Sequence, residues 1–481
     1  MSIPVVVVTF LVFLAAFTGV GVLSARVKED TTDDYLVASR TIPGWMTGLS
    51  AVSTNHSGFM FIGLIGFTWR FGVEAVWLMA GWFLGDLLCW WWVHHRVRER
   101  SEAIEAASFP ALLGTRADGS RDVWVTRAAG LLTFFFLGGY AAAQINAGGV
   151  TLHALFGWPM AAGAIIGTVI VVLYCFSGGL RASIWTDSAQ AIVMVGAMAA
   201  LLASCMMRAG GFEALGDQLR AIDPSLLQWV PDDLAFGFVM YLVGFTAAGV
   251  GVIGQPHIMV RFMAIRDTKS IRTAGTVYFV WYALFTFAAI LVGLYGRVLL
   301  PDLAAGVPDD QVAAATELAM PTLAMAVLPD VLVGLTLAGL FSATMSTADS
   351  QILSCSAAIT QDVAPRFRHD YRASKISTLA VAALALGIAL AANDGVFALV
   401  VGAWSALGAA FGPILLVRLA RAPLPSWLAG AMMVAGPATV FAWGATPWSA
   451  SLFRLLPGLL VPLALYGTWS ALGRPGTPRE G

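Results

Sequence analysis

The chain has 481 residues, a formal net charge of −1, 58% hydrophobic and 11% charged residues, and a mean hydropathy of +0.80. That balance excludes a string of soluble domains, offers no basic surplus for nucleic acid, and fits a polytopic membrane protein. Cys89, Cys175, Cys205 and Cys355 sit in or beside apolar runs, which gives no disulfide framework.

A helix needs roughly 20 apolar residues to cross the hydrocarbon of a bilayer. The sequence predicts thirteen spans, near 3–24, 43–68, 72–93, 124–153, 158–176, 184–208, 235–263, 270–300, 330–361, 375–393, 395–418, 426–444 and 452–472. The first, in MSIPVVVVTFLVF, lacks a positive n-region and a clear cleavage site, so it reads as a span and not a signal peptide. Residues 303–329 read as a short helix lying on the membrane. No linker or second domain is visible, and 1–481 reads as a single unit with no fixed-period repeat. Loops and ends on one side hold every Lys and Arg except Arg70, Arg208, Arg220, Arg297 and Arg454. The positive-inside rule then places the N-terminus outside and the C-terminus in the cytoplasm, with no statement about oligomeric state.

Polar groups inside these spans mark candidate sites. Span two carries Ser53-Thr54-Asn55-His56-Ser57-Gly58, which is either an unwound turn facing an ion and a solute or a satisfied polar patch between helices. In span three, Asp86 is a lone acid whose partner the sequence does not name, and Trp90, Trp91 and Trp92 read as an interfacial anchor. Tyr140, Gln144 and Asn146 of span four either line a cavity or pack. Gly178-Gly179 gives a tight turn, and Asp187 just after it either caps span six or serves as a second cation ligand. Span seven is interrupted at Gly254-Gln255-Pro256-His257. His257, next to Arg261, reads as either interfacial or cavity-lining. Breaks in corresponding places of two halves point to a midplane site in an inverted-repeat transporter.

Span nine carries Ser342-Ala343-Thr344-Met345-Ser346-Thr347-Ala348-Asp349-Ser350. Positions 343, 346, 347 and 350 have i, i+3, i+4 and i+7 spacing and share one helix face. Small hydroxyls, an acid and a backbone carbonyl suit a hard cation such as Na⁺. No Walker loop, H-E-x-x-H motif or nucleophile elbow appears, so ATP-driven pumping and hydrolysis find no support and no cofactor is expected.

Four segments occur in a fixed order: DYLVASRTIPGWMTGLSA, YCFSGGLRASIWTDSAQA, GQPHIMVRFMA and MSTADSQILSCSAAITQD. Together they resemble the sodium:solute symporter family, most closely its bacterial sodium/proline branch. The resemblance implies an all-α membrane protein in the cell membrane. Its thirteen helices would hold a core of two inverted five-helix repeats, about 43–208 and 235–418, with 3–24, 426–444 and 452–472 peripheral. It implies a main sodium site made of the Ser53 and His56 carbonyls, the Ala343 carbonyl and the Ser346 and Thr347 hydroxyls. A second site would use Asp187, Ser346, Asp349 and Ser350. Arg40 matches a basic residue before span two. The proline branch carries Asp where this chain has Asn55, and Trp and Tyr where it has Ala248 and Val252; Tyr140 matches its cavity tyrosine.

The resulting expectation is a symporter that couples inward sodium flow to uptake of a small polar solute, an amino acid first and a monocarboxylate second. The solute would lie between spans two, four and seven, with Asn55, Ser57, Tyr140, Gln144, Ala248, Val252 and Gln255 as its candidate lining. The rivals are proton coupling through His56, Asp187 and Asp349, and a transporter-like sensor acting with a separate partner.

Overall fold

A computed structural model of the chain describes residues 2–308, 311–391 and 396–472. The expected span ends at 393 and 395 and the C-terminal segment from 473 onward lie outside these residues. The described chain is all-α. Its extended pairing is limited to two isolated bridges, Ile42 with Ile265 and Thr115 with Arg121. The principal helices are α1 (Ile3–Ser24), α2 (Gly44–Asn55), α3 (Gly58–Phe61), α4 (Gly63–Phe71), α5 (Ala75–Ala103), α6 (Val123–Leu132), α7 (Gly138–Phe156) and α8 (Met160–Arg208). They continue with α9 (Gly237–Val250), α10 (Pro256–Ala264), α11 (Ser270–Leu299), α12 (Asp330–Ala357), α13 (Tyr371–Ala391), α14 (Val396–Leu419), α15 (Ser426–Gly444) and α16 (Leu455–Ala471). Among the described residues, ten helices are long and apolar enough to cross a membrane.

The departures from the expected spans have local causes. Span two is three helices, α2 to α4, because His56 leaves helical geometry at φ −94°, ψ 69°. Spans five and six form the 49-residue run α8. A straight helix of that length would reach far beyond a bilayer at about 1.5 Å per residue. Gly179 breaks it with φ 56°, ψ −139°, a conformation in which a side chain is strained, and a Cβ there would lie 2.3 Å from the Tyr35 carbonyl. The expected turn at Gly178-Gly179 is thus this one left-handed residue. Span seven is α9, a tight turn over Gly251–Gly254, and α10, which begins on Pro256 where no N–H is needed. The final α16 has only 17 residues. Residues 303–329 hold two short helices, Val312–Thr316 and Ala319–Val327.

The broken helices are positioned by the long ones. α12 packs on α8, α1 and α7 and touches α2, while α2 lies on α11 and α8. The start of α2 is tied to the end of α10 by backbone bonds, Ile42 N–H to Ala264 at 3.3 Å and Arg266 N–H to Ile42 at 2.9 Å. α5 and α9 pack with their backbones nearly touching. A Cβ at Gly249 would lie 2.0 Å from the Trp82 carbonyl oxygen, and one at Gly85 would lie 1.9 Å from that of Thr246. In a membrane such small-residue contacts supply the packing that water would otherwise drive.

This geometry makes a first prediction. Gly249→Ala forces α5 from α9 and should destabilise the fold by about 1–3 kcal/mol. Gly196→Ala, where nothing lies within 4 Å, should leave stability unchanged or slightly raised. Thermal melts of the detergent-purified variants provide the check.

Candidate functional site

The site begins where α2 stops. The His56 N–H still bonds the Val52 carbonyl at 2.8 Å, and its ring Nδ1 lies 3.0 Å from the same oxygen. A carbonyl only accepts, so Nδ1 carries the proton. The ring then lies edge-on to Tyr282 and Trp281 of α11, with centroids 4.0 and 5.5 Å away. The His56 side chain therefore faces α11, and only its backbone remains near the break.

The last carbonyls of α2 are met by hydroxyls of α12. Ser346 Oγ donates to the Ser53 carbonyl at 3.3 Å and Thr347 Oγ1 to that of Thr54 at 3.1 Å. The same hydroxyls lie 3.4 and 3.1 Å from the Ala343 carbonyl. Two hydroxyl protons thus serve three carbonyl oxygens. All five groups are buried. A pocket of oxygens with fewer protons than acceptors favours a cation, because a cation is attracted to every lone pair at once. The structure brings Ser53, Ala343, Ser346 and Thr347 together and adds the Thr54 carbonyl.

Beside this pocket lies a second buried cluster, drawn from four helices. Asp187 of α8 accepts from Ser50 Oγ at 2.6 Å, Thr54 Oγ1 at 3.4 Å and Ser183 Oγ at 3.5 Å. Asp349 of α12 accepts from Tyr174 Oη at 2.7 Å, Ser350 Oγ at 2.6 Å and Ser183 Oγ at 3.2 Å. Between them sits Arg261 of α10, which is 0% exposed. Its Nη2 donates to Asp187 at 2.9 Å and also to Ser350, and its Nε donates to Ser50 at 2.9 Å. Asp187 lies inside α8, past the break at Gly179, with its carboxylate taken by side chains of α2 and α10 and by Ser183 of α8. The capping reading of this residue therefore fails.

Arg261 corrects the sequence reading, which counted it with the cytoplasmic loops. A single Arg inside PHIMVRFMA was the available signal, and charge tallies treat every Arg near a span end as a loop residue. Ser50, Ser183, Tyr174 and Tyr278 were also missed. Ser183 stands one turn before Asp187 on α8, a spacing that could have signalled it, while the partners of Ser50, Tyr174 and Tyr278 come from other helices that no spacing in the sequence connects.

The candidate solute lining gathers around the two breaks. A Cβ on Gly58 would lie 3.6 Å from Gln144 Oε1, which places the α7 amide at the break of α2. Tyr140 hydrogen-bonds Ser57 and meets His257 edge-on at 5.9 Å. Both amide atoms of Gln144, both ring nitrogens of His257 and Oε1 of Gln255 are buried without a hydrogen-bond partner among the described residues. Such orphaned groups are costly and point to a polar ligand. The other amide atom of Gln255, Nε2, bonds the Gly251 and Trp404 carbonyls at 3.2 and 2.9 Å, so this side chain also closes the gap in the broken helix. Ala248 and Val252 are buried, and the Ala248 carbonyl accepts from the Trp404 indole at 3.1 Å. Asn55 joins a different group, with Asp86 of α5 and Tyr278 of α11.

Two outcomes follow from the geometry. Replacing Ser346 and Thr347 together by Ala removes two oxygens from the five and should weaken sodium activation of transport by about tenfold or more, at a folded yield near the parent's. Arg261→Ala leaves Asp187 buried without its ion-pair partner and should destabilise the protein by about 3–5 kcal/mol. Adding Asp187→Asn to that variant should recover part of the loss, as a double-mutant cycle of melting curves would record.

Comparison with known proteins bears on the chain as a whole. The sodium:solute symporter family matches residues 35–433. The sodium/proline symporter of Escherichia coli (strain K12) is 31% identical, over 97% of this chain and 93% of its own length. The high-affinity proline transporter PutP of Bacillus subtilis (strain 168) is 29% identical, over 91% and 92%. Among solved structures, a Na⁺-coupled sialic acid symporter in a substrate-bound outward-open state shares the fold with a TM-score of 0.77 at 17% identity, covering 99% of both chains. A nucleobase-cation-symport-1 family transporter in a closed conformation aligns with a TM-score of 0.56 at 15% identity, over 92% of this chain and 96% of its own. A match across most of the chain, with a relative above 30% identity over nearly its whole length, fixes the assignment: this chain is a multi-pass membrane protein of the sodium:solute symporter family.

Proposed function

We propose that the protein couples inward sodium flow to uptake of a small amino acid, with proline the first candidate and a monocarboxylate the second. The observation that carries the coupling is the cluster of five oxygens between the broken α2 and α12, which joins two elements that must separate for an ion to leave. Sodium there would draw the Ser53 and Thr54 carbonyls and the Ala343, Ser346 and Thr347 oxygens together and order the break at His56. Proline is supported by the names of the relatives above and by the presence of Tyr140. Ala248 and Val252 give this pocket less aromatic surface than the proline branch has, so the panel of solutes must be wider than proline alone.

Gln144, His257, Gln255, Asn55, Ser57 and Tyr140 would then line the solute pocket between α2, α7 and the turn joining α9 to α10. The reading carries thirteen crossings with it. Two inverted five-helix repeats, about 43–208 and 235–418, would rock against each other and expose the two breaks to either side of the membrane. The N-terminus would lie outside and the C-terminus in the cytoplasm. Asp187, Asp349 and Ser350 form the proposed second cation position. Two carboxylates and one guanidinium leave one negative charge over, which a second sodium ion or a proton would neutralise. The same excess is the specific observation that favours proton coupling as the alternative.

Uptake into proteoliposomes separates these readings. Labelled proline, other small amino acids and monocarboxylates are offered under a sodium gradient, under an equal potassium gradient, and under a pH gradient alone. Sodium-driven accumulation of one or more of them is expected. Accumulation driven by the pH gradient without sodium would replace sodium with protons in this account.

A further inference from the structure

Asp86 is the carboxylate that the sodium and solute sites leave unexplained. It lies within α5, is 0% exposed, and has no basic partner among the described residues. Its Oδ2 accepts from Asn55 Nδ2 at 3.2 Å and from the Tyr278 hydroxyl. The Tyr278 oxygen in turn accepts from Asn55 Nδ2. Its Oδ1 makes no hydrogen bond of good geometry, and the indole of Trp90, one turn further along α5, is the polar group nearest to it on its own helix. A buried carboxylate without a counter-ion is costly at membrane depth, and such groups mark ion or substrate paths.

The chemistry of the three groups fixes the orientation of the Asn55 amide. Tyr278 has one hydroxyl proton and gives it to Asp86, so its oxygen is left to accept. In its ionised form Asp86, already bonded by two donors at Oδ2, only accepts. Both neighbours therefore demand the NH₂ end of Asn55, and the flip that would present its oxygen to them has no donor to meet. The Asn55 Oδ1 is then turned away from Asp86 and Tyr278. Asn55 is only half-buried and is the last residue of α2. The C-terminal end of a helix carries partial negative charge, and the uncompensated carboxylate behind the amide adds to it. An outward acceptor oxygen in a negative field suits a cation.

We propose that Asp86 is a positioning residue for cation recognition at the break of α2. It locks the Asn55 amide with its oxygen facing outward and supplies the negative charge behind it. The cation is either sodium or the ammonium-type nitrogen of the solute, and both present the same chemistry to Asn55. The inference rests on the sodium-coupled amino-acid reading, and the test keeps the two separable.

The experiment measures ²²Na⁺ binding to the purified full chain and labelled proline uptake by the reconstituted protein, with a melting curve for each variant. Asp86→Asn lets the two facing amides pair in either orientation. It should weaken sodium binding, or raise the KM for proline at saturating sodium, by about tenfold or more, with the maximal rate changed less than about threefold and the melting temperature kept. The exchanged pair Asn55→Asp with Asp86→Asn rebuilds an amide facing a carboxylate and should recover most of the loss. A shift in the sodium curve identifies sodium as the cation, and a shift confined to the KM identifies the solute nitrogen. Should D86N not be recovered folded, Tyr278→Phe removes one partner of the lock and should weaken the same parameter by about threefold or more. Parent-like curves for D86N, or for Y278F in its place, overturn the proposal, as does a loss matched by a fall in melting temperature that the exchange does not repair. A parent that neither binds ²²Na⁺ nor takes up proline defeats the underlying reading instead.

Discussion

A helix that stops inside a membrane leaves carbonyl oxygens that no water can reach, and each must find a partner within the protein. In this chain α2 stops at Asn55, and the partners for Ser53 and Thr54 are the hydroxyls of Ser346 and Thr347. The bond pattern joins the broken helix to α12, and α12 is itself held by α8, α1 and α7. The same bonds are poor in protons, because the hydroxyls also face the Ala343 carbonyl. One constraint thus holds the helices together and leaves lone pairs for a cation. The hydroxyls can reach the carbonyls without an ion, which is the behaviour the proposed releasable site needs.

The charges nearby follow a similar logic. Asp187 and Asp349 converge from α8 and α12, and Arg261 from α10 binds Asp187 and the shared Ser350. A buried pair contributes little net stability, yet losing one partner is severe, so the cluster fixes how the helices meet more than how strongly they hold. α10 begins at the second break, and its Arg261 reaches Ser50 of the first broken helix. Arg261 therefore links the acids to both broken helices. The Ile42–Ile265 backbone bridge ties the same two segments a few residues away.

Much of this was legible in the sequence because hydroxyls and acids stand out in apolar runs. The face at 343, 346, 347 and 350 was readable from helical period, and its pairing with Ser53 required only the resemblance. The interruptions at Ser53–Gly58 and Gly254–His257 were readable from polar residues, Gly and Pro. What was hidden depends on which helices abut. Arg261 looked like a loop charge because sequence position does not report depth. Asp86 had no visible partner because Asn55 and Tyr278 lie on other helices. The side-chain direction of His56 was hidden as well, since it is set by its bond to Val52 and the rings of α11.

Sodium bound between the break of α2 and the hydroxyl face of α12, as proposed, would order both segments. Hydrogen–deuterium exchange of the purified protein, in sodium and in an equal concentration of potassium, tests it directly. Sodium should slow exchange in peptides covering 52–58 and 343–351 together, and the Ser346→Ala, Thr347→Ala double variant should lose this protection at both places. Equal exchange in sodium and potassium, or protection confined to segments away from both, would contradict it.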